Sequence, residues 1–315
     1  MTPPAPLTAS DPFPRRFRAY LRERFPLGTH LSMVVIYFLA NQFLAQRLLQ
    51  PDAPLVIGPF TALGMLFLLC MFFHLRVFDE HKDANLDLRH YPDRLLSRGV
   101  ITLAELRTVA AAAIAIELLS GLLSSPAALL AVVISLFFSW VLLREFFVPA
   151  WLRARFMLYA VAHMLIMPML TATIFSFTTG RPFWEAPWLF WAYALADFFA
   201  FANWEISRKI RLPEDELPGV DTYSRHLGIR GSLRALHLLR LLNTLLAWLV
   251  GWCLELGPAY AIAVLLMAGL ASIGIVRFTR QPDRARAAQL EHYGGGYILL
   301  FYLVLAVALW QQQGF

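Results

Sequence analysis

Four carboxylates, Asp79, Glu80, Asp83 and Asp87, stand close together just beyond a long apolar run. At about 100° per helical residue they sit near 0°, 100°, 40° and 80°, so a helix that continued past the run would carry all four on one face. Four like charges at that spacing repel and raise one another's pKa values unless something positive joins them. Hard oxygen donors in such a group suit Mg²⁺, which takes one or two carboxylates and leaves its other positions to water and phosphate. A solvated acidic turn, balanced by Arg76, Lys82 and Arg89, is the other reading of the same residues.

A second polar stretch runs from Asn203 to Gly228 and holds Glu205, Arg208, Lys209, Asp215 and Arg225. With Arg94 and Arg98 it supplies cations that can cover phosphate oxygens, Arg being suited to paired bonds. The bland alternative is a charged loop with Pro213 and Pro218 as turn markers. Glu117 and Asp197 lie inside apolar runs, where an ionisable group is costly and faces a cavity or a partner. Asp197 precedes Glu205 by roughly two helical turns, so it either lines the depth of the same pocket or bonds between helices. Glu117 reads as a hydrogen-bonded structural group, Asn41 and Gln42 as glue between helices, and His163 as a bundle histidine. The run Tyr293 to Tyr297 lacks the Lys and the Ser or Thr of a phosphate loop, and its three glycines suit close helix packing.

The elements that must position these groups follow from composition. The chain has 315 residues, 59% hydrophobic and only 15% charged, with a mean hydropathy of +0.58. A soluble surface needs roughly 25–35% charged residues, so a water-soluble globule is excluded. Cys70 and Cys253 lie far apart in apolar runs, which argues against a disulfide framework or a structural zinc. A membrane helix needs about 20 apolar residues. Nine stretches qualify or nearly do: 29–50, 54–78, 104–123, 126–143, 154–178, 186–206, 236–254, 258–277 and 292–311. The expected fold is therefore an all-α polytopic bundle over 29–315, preceded by a cytoplasmic arm over 1–28. Between Arg15 and Arg24 the arm reads either as a surface helix with Phe13, Phe17, Tyr20 and Leu21 against lipid or as a solvated tail.

With the N-terminus inside, only Arg47 and Arg181 of the 27 Lys and Arg fall on the outer half. That bias predicts a multi-pass protein of the cell inner membrane or its equivalent, with its C-terminus on the opposite side. It also explains the net charge of +6 as topology, so no nucleic-acid partner is expected.

The polar segments resemble the UbiA superfamily of intramembrane prenyltransferases. Its first motif, N-D-x-x-D-x-x-x-D, is similar to Asp79-Glu80-x-x-Asp83-x-x-x-Asp87, with Asp for Asn and Glu for the first Asp. Pro92, Arg94 and Gly99 keep the offsets of the following K-P-x-R-P-x-x-S-G. Phe25 to Thr29 resembles the family's P-I-G-T, and Gly219-Val-Asp-Thr222 with Leu227-Gly228 resembles the tail of its second motif. The acidic part of that motif departs from the pattern, since Arg211 stands where an acid is usual. Glu205 is expected to take its role.

The resemblance implies Mg²⁺-dependent transfer of a prenyl group from a prenyl diphosphate to a lipophilic acceptor within the lipid bilayer. It assigns Asp83, Asp87 and Glu205 to catalysis, and Asp79, Glu80, Asp83, Asp87, Glu205 and Asp215 to metal. Arg94, Arg98, Arg208, Lys209 and Arg225 would meet diphosphate. Tyr159, Asp197 and Trp204 would line the prenyl pocket, where aromatic faces stabilise cationic character. A cyclase variant would need no second substrate, and a degenerate scaffold would need neither. A permease is the rival from another class; it predicts acids paired near the midplane, whereas here they gather beyond the spans.

Overall fold

The computed structural model describes residues 7–313, so the first six residues of the expected arm and the last two of the membrane unit lie outside the described residues. The elements are α1 (Phe13–Arg24), α2 (Leu27–Leu49), α3 (Pro59–His90), α4 (Leu103–Ser124), α5 (Pro126–Leu143) and α6 (Pro149–Arg153). They continue with α7 (Phe156–Met164), α8 (Ile166–Thr179), α9 (Trp188–Ser207), α10 (Tyr223–Cys253), α11 (Gly257–Arg280) and α12 (Arg284–Gln311). No strand occurs among the described residues.

Eight segments are long and apolar enough to cross a membrane, α7 and α8 together forming one of them. The expected ninth, α9, has 20 residues but falls outside that set, in keeping with the Asp197, Asn203 and Glu205 it carries. It packs along α10 and α12 as the other helices pack on their neighbours. Large apolar side chains such as Leu122, Leu266 and Trp252 point outward. Lipid is as apolar as they are, so close packing and interhelical hydrogen bonds hold the interior.

Local sequence sets the helix ends. Thr102 and Glu105 form a reciprocal capping box at the start of α4. Ser125 caps α5 with Pro126 in its first turn, so Ser-Ser-Pro does divide two helices. The expected single span over 154–178 is broken at Leu165, between α7 and α8. Pro168 cannot donate to the carbonyl of Met164, which frees one helical bond there.

The arm docks on the protein's own helices. Tyr20 and Phe25 are buried against Phe73 and Val77 of α3, with Phe13, Phe17 and Leu21 packed on the same cluster. Arg16 makes a forked pair with Glu105 of α4 at 2.7 and 3.1 Å.

Candidate active site

At 32 residues α3 is about 48 Å long, more than the roughly 30 Å hydrocarbon core, so it projects beyond the membrane. The projecting end carries the four acids, and the structure divides them by edge. Glu80, 2% exposed, accepts from Arg24 of α1 at 2.7 Å. Asp87 is paired with Arg94 and lies 3.8 Å from Arg24. These two hold the arm and the loop that follows α3. Asp79 and Asp83, one turn apart, occupy the other edge. Asp79 meets Lys82 at 3.3 Å. Asp83 is exposed and, among the described residues, makes no hydrogen bond or ion pair, although the charges of Asp79, Lys82, Asp87 and Lys209 all reach it.

Lys209 follows the end of α9, where Glu205 binds it at 2.7 Å and Arg208 at 2.6 Å. Burial opposes the Arg208 charge, but Glu205, with Asp79 and Glu291 further off, raises its pKa. Two cations are thereby held at the mouth by one carboxylate. Tyr159 of α7 stands within reach of the Asp79 and Asp83 charges. It stacks on His163 at 4.0 Å. His163 Nδ1 bonds the Tyr159 carbonyl at 2.8 Å, so Nδ1 carries the proton and Nε2, buried and without a partner, is an acceptor.

Three contributors escaped the sequence reading. Lys82 looked like a counter-charge and Arg153 like a topology signal. Glu145 was overlooked altogether. Buried Glu145 takes both arms of Arg153, at 2.6 and 2.8 Å, and these bonds raise the Arg153 pKa. The field of Arg153 reaches Asp83. Glu145, Phe146 and Phe147 all adopt positive φ, at 47°, 55° and 61°. Side chains rarely accept that conformation, and three in succession mark a strained turn. No glycine announced it.

The other expected site residues lie elsewhere. Asp215 pairs with Arg284 of α12. Arg225 spends its guanidinium on the Val220 and Leu217 carbonyls, and Arg98 reaches the Leu7 carbonyl. Trp204 stacks under Arg208 and faces the glycines of α12. Asp197 sits in the bundle interior with no exposure. It accepts from Thr171 at 2.7 Å, Tyr37 at 3.4 Å and Tyr302. The hydroxyls of α2, α8 and α12 thus meet on α9 through one carboxylate. Glu117 is taken by His74 at 2.7 Å, and His74 reaches Ser139 at 3.1 Å. Asn41 and Gln42 do not bridge helices as expected; Asn41 bonds its own helix at Tyr37, and Gln42 bonds the loop after α2 at Val56. Gly228 has a φ of 66° at a kink inside α10, which accounts for glycine in the Leu-Gly pair.

Among the described residues no three His, Cys, Asp or Glu side chains come together as a metal cage. Asp79 and Asp83 form a two-carboxylate edge instead. That donor set fits Mg²⁺, which needs only one or two carboxylates when phosphate supplies further oxygens.

A helical bundle of membrane-spanning length, with the unpaired Asp83 and the paired cations Arg208 and Lys209 at one end, defines a polytopic membrane protein. The UbiA prenyltransferase family matches over residues 33–303, and the chain belongs to that family. No curated protein matches the sequence. Among solved structures, a UbiA homologue from Aeropyrum pernix in its apo form is 15% identical, with a TM-score of 0.63 over 89% of this chain and 96% of that one. Digeranylgeranylglyceryl phosphate synthase is 18% identical, with a TM-score of 0.61 over 94% of this chain and 99% of the other. A UbiA homologue from Archaeoglobus fulgidus, bound to DMAPP and Mg²⁺, is 15% identical, with a TM-score of 0.59 over 91% and 99%. At such identities the likeness is one of fold.

Proposed function

We propose that the protein transfers a prenyl group from a prenyl diphosphate to a lipophilic acceptor inside the bilayer, using Mg²⁺ held at Asp79 and Asp83. The free, exposed carboxylate of Asp83 beside the paired cations Arg208 and Lys209 carries this reading. The Archaeoglobus fulgidus relative, which binds DMAPP and Mg²⁺ in the same fold, supports it. Mg²⁺ would supply Lewis-acid stabilisation of the charge gathering on the diphosphate.

The chain's own groups do the rest. Lys209, Arg208 and Arg153 cover the diphosphate oxygens, and Glu205 and Glu145 hold those cations in place. The bond between the allylic carbon and the diphosphate oxygen breaks, and diphosphate leaves with the electron pair. Tyr159 offers an aromatic face to the positive carbon. The acceptor's electron-rich atom then bonds that carbon and loses a proton. Water must be kept out, because it would turn the cation into an alcohol. The basic surplus supports a cytoplasmic mouth and N-terminus. A permease would need free acids along a path, and Asp197 and Glu117 are both bonded within the bundle.

Incubation with labelled prenyl diphosphates of several chain lengths and a membrane extract tests the reading. A prenylated lipid product supports it; diphosphate consumed with no acceptor supports the cyclase variant; consumption at no length overturns both.

A further inference from the structure

The arginines of α1 are sorted by face. Arg15, Arg18 and Arg22 are exposed, whereas Arg16 and Arg24 turn onto acids of the bundle. Arg16, only 8% exposed, adds a bond to the Val100 carbonyl at 2.8 Å to its fork on Glu105 of α4. Arg24 reaches the acidic end of α3. Its partner Glu80 is also met by Tyr20, whose hydroxyl lies 3.5 Å from the same carboxylate oxygen. One arginine near each end thus pins a short helix to α4 and α3.

The same contact closes over Asp87. Glu23, beside Arg24, accepts from the Leu95 N–H at 3.3 Å. Leu95 adjoins Arg94, which pairs with Asp87 and lies over the Tyr91 ring, 3.8 Å from its centre. Glu80 and Asp87 therefore both face guanidinium groups. Each also stands about one helical turn from Asp83, as neighbours on one helix face do.

The placement bears on a cation at Asp79 and Asp83. The charge of Asp87 reaches Asp83, so a guanidinium held on Asp87 subtracts from the negative field at Asp83. Arg24 also occupies the two carboxylates that flank Asp83 along the helix. It and a divalent cation are drawn to the same acids and repel each other. Docking of the arm and binding of the cation are therefore opposed.

We infer that α1 is an inhibitory strap. Docked, its Arg24 lowers the affinity of the α3 acids for a divalent cation; undocked, it releases Glu80 and Asp87 and that affinity rises. The inference rests on the reading of Asp79 and Asp83 as metal residues. The coupling is reciprocal: a bound cation loosens the arm by the factor by which the arm weakens the cation. The fork from Arg16 to Glu105 belongs to the same device although it touches no acid of α3. Breaking it frees the arm and alters no charged residue at the mouth.

The full chain in uncharged detergent is titrated with Mn²⁺, free ion being read by electron paramagnetic resonance and Mg²⁺ serving as competitor. Arg24→Gln is expected to bind Mn²⁺ about tenfold tighter than the wild type, within the usual range of such couplings. Arg16→Gln should shift affinity in the same direction, and Arg24→Lys, which keeps the charge, should stay near the wild type. In the converse measurement, Mg²⁺ should speed hydrogen exchange of the α1 amides in the wild type. An Arg24 that merely holds the α3 acids in shape for metal predicts weaker Mn²⁺ binding in both Gln variants, and that result overturns the inference. So do Gln variants with wild-type affinity, or α1 exchange that Mg²⁺ leaves unchanged or slows. Arg16→Gln keeps the test decisive if Arg24→Gln does not fold. Binding of Mn²⁺ by none of the proteins would remove the metal reading of Asp79 and Asp83, and the strap with it.

Discussion

Arg24 of α1 donates to Glu80 of α3 across 2.7 Å, and its other arm lies 3.8 Å from Asp87. One cation outside the membrane bundle thus engages two of the four clustered acids. Those acids serve as an anchor for the arm, whereas Asp79 meets only Lys82 and Asp83 makes no ion pair among the described residues.

Removing Arg24 leaves Glu80 buried without its ion-pair partner. Arg24→Ala is expected to cost about 3 kcal/mol, the lower end for breaking a buried pair because Arg24 is partly exposed. The double variant with Glu80→Gln should cost less than the sum of the two single changes. Thermal unfolding in lipid nanodiscs measures all three, and additive effects would show that the pair does not couple.

Asp197→Leu strips the common partner from three hydroxyls and is expected to destabilise by about 2–3 kcal/mol. Asp197→Asn keeps an acceptor and should retain most stability and most activity. The comparison separates a structural hub from a pocket residue. A large rise in KM for prenyl diphosphate in a stable Asp197→Asn would assign it to the pocket.

A Cβ built on Gly294 would come within 2.1 Å of Ser207 Oγ, at the end of α9 that presents Glu205, Arg208 and Lys209. Gly294→Val is therefore expected to push α12 from α9, costing about 1–3 kcal/mol. Activity should fall further than stability alone explains. Pairing Gly294→Val with Ser207→Ala should recover part of both losses.

Much of this was legible in the sequence because apolar length and charge placement are direct consequences of the bilayer. Eight spans and the Ser-Ser-Pro turn follow from them, whereas the expected second span stops at residue 78 and α3 runs on through Asp87 to His90. The division of the four acids was half-visible: the wheel puts Asp79 and Asp83 at one side and Glu80 and Asp87 at the other, about 40° to 100° apart. Which side is taken up by the arm depends on Arg24, a residue far away in sequence. Arg153 was hidden for a different reason. Its position depends on the left-handed turn at Glu145, Phe146 and Phe147, and residue types without glycine give no sign of it. Asp215 and Arg225 looked functional because charge in a loop is ambiguous until its partners, Arg284 and the Leu217 and Val220 carbonyls, are in place.

The central claim concerns Asp83 and its cation. Diphosphate release from a labelled prenyl diphosphate, followed over a Mg²⁺ titration for the wild type and Asp83→Asn, tests it most directly. The account predicts saturable Mg²⁺-dependent release by the wild type, removed by chelation, and a loss on the order of 100-fold in the variant with unfolding unchanged. Release that ignores Mg²⁺, or an Asp83→Asn protein as active as the wild type, would contradict it.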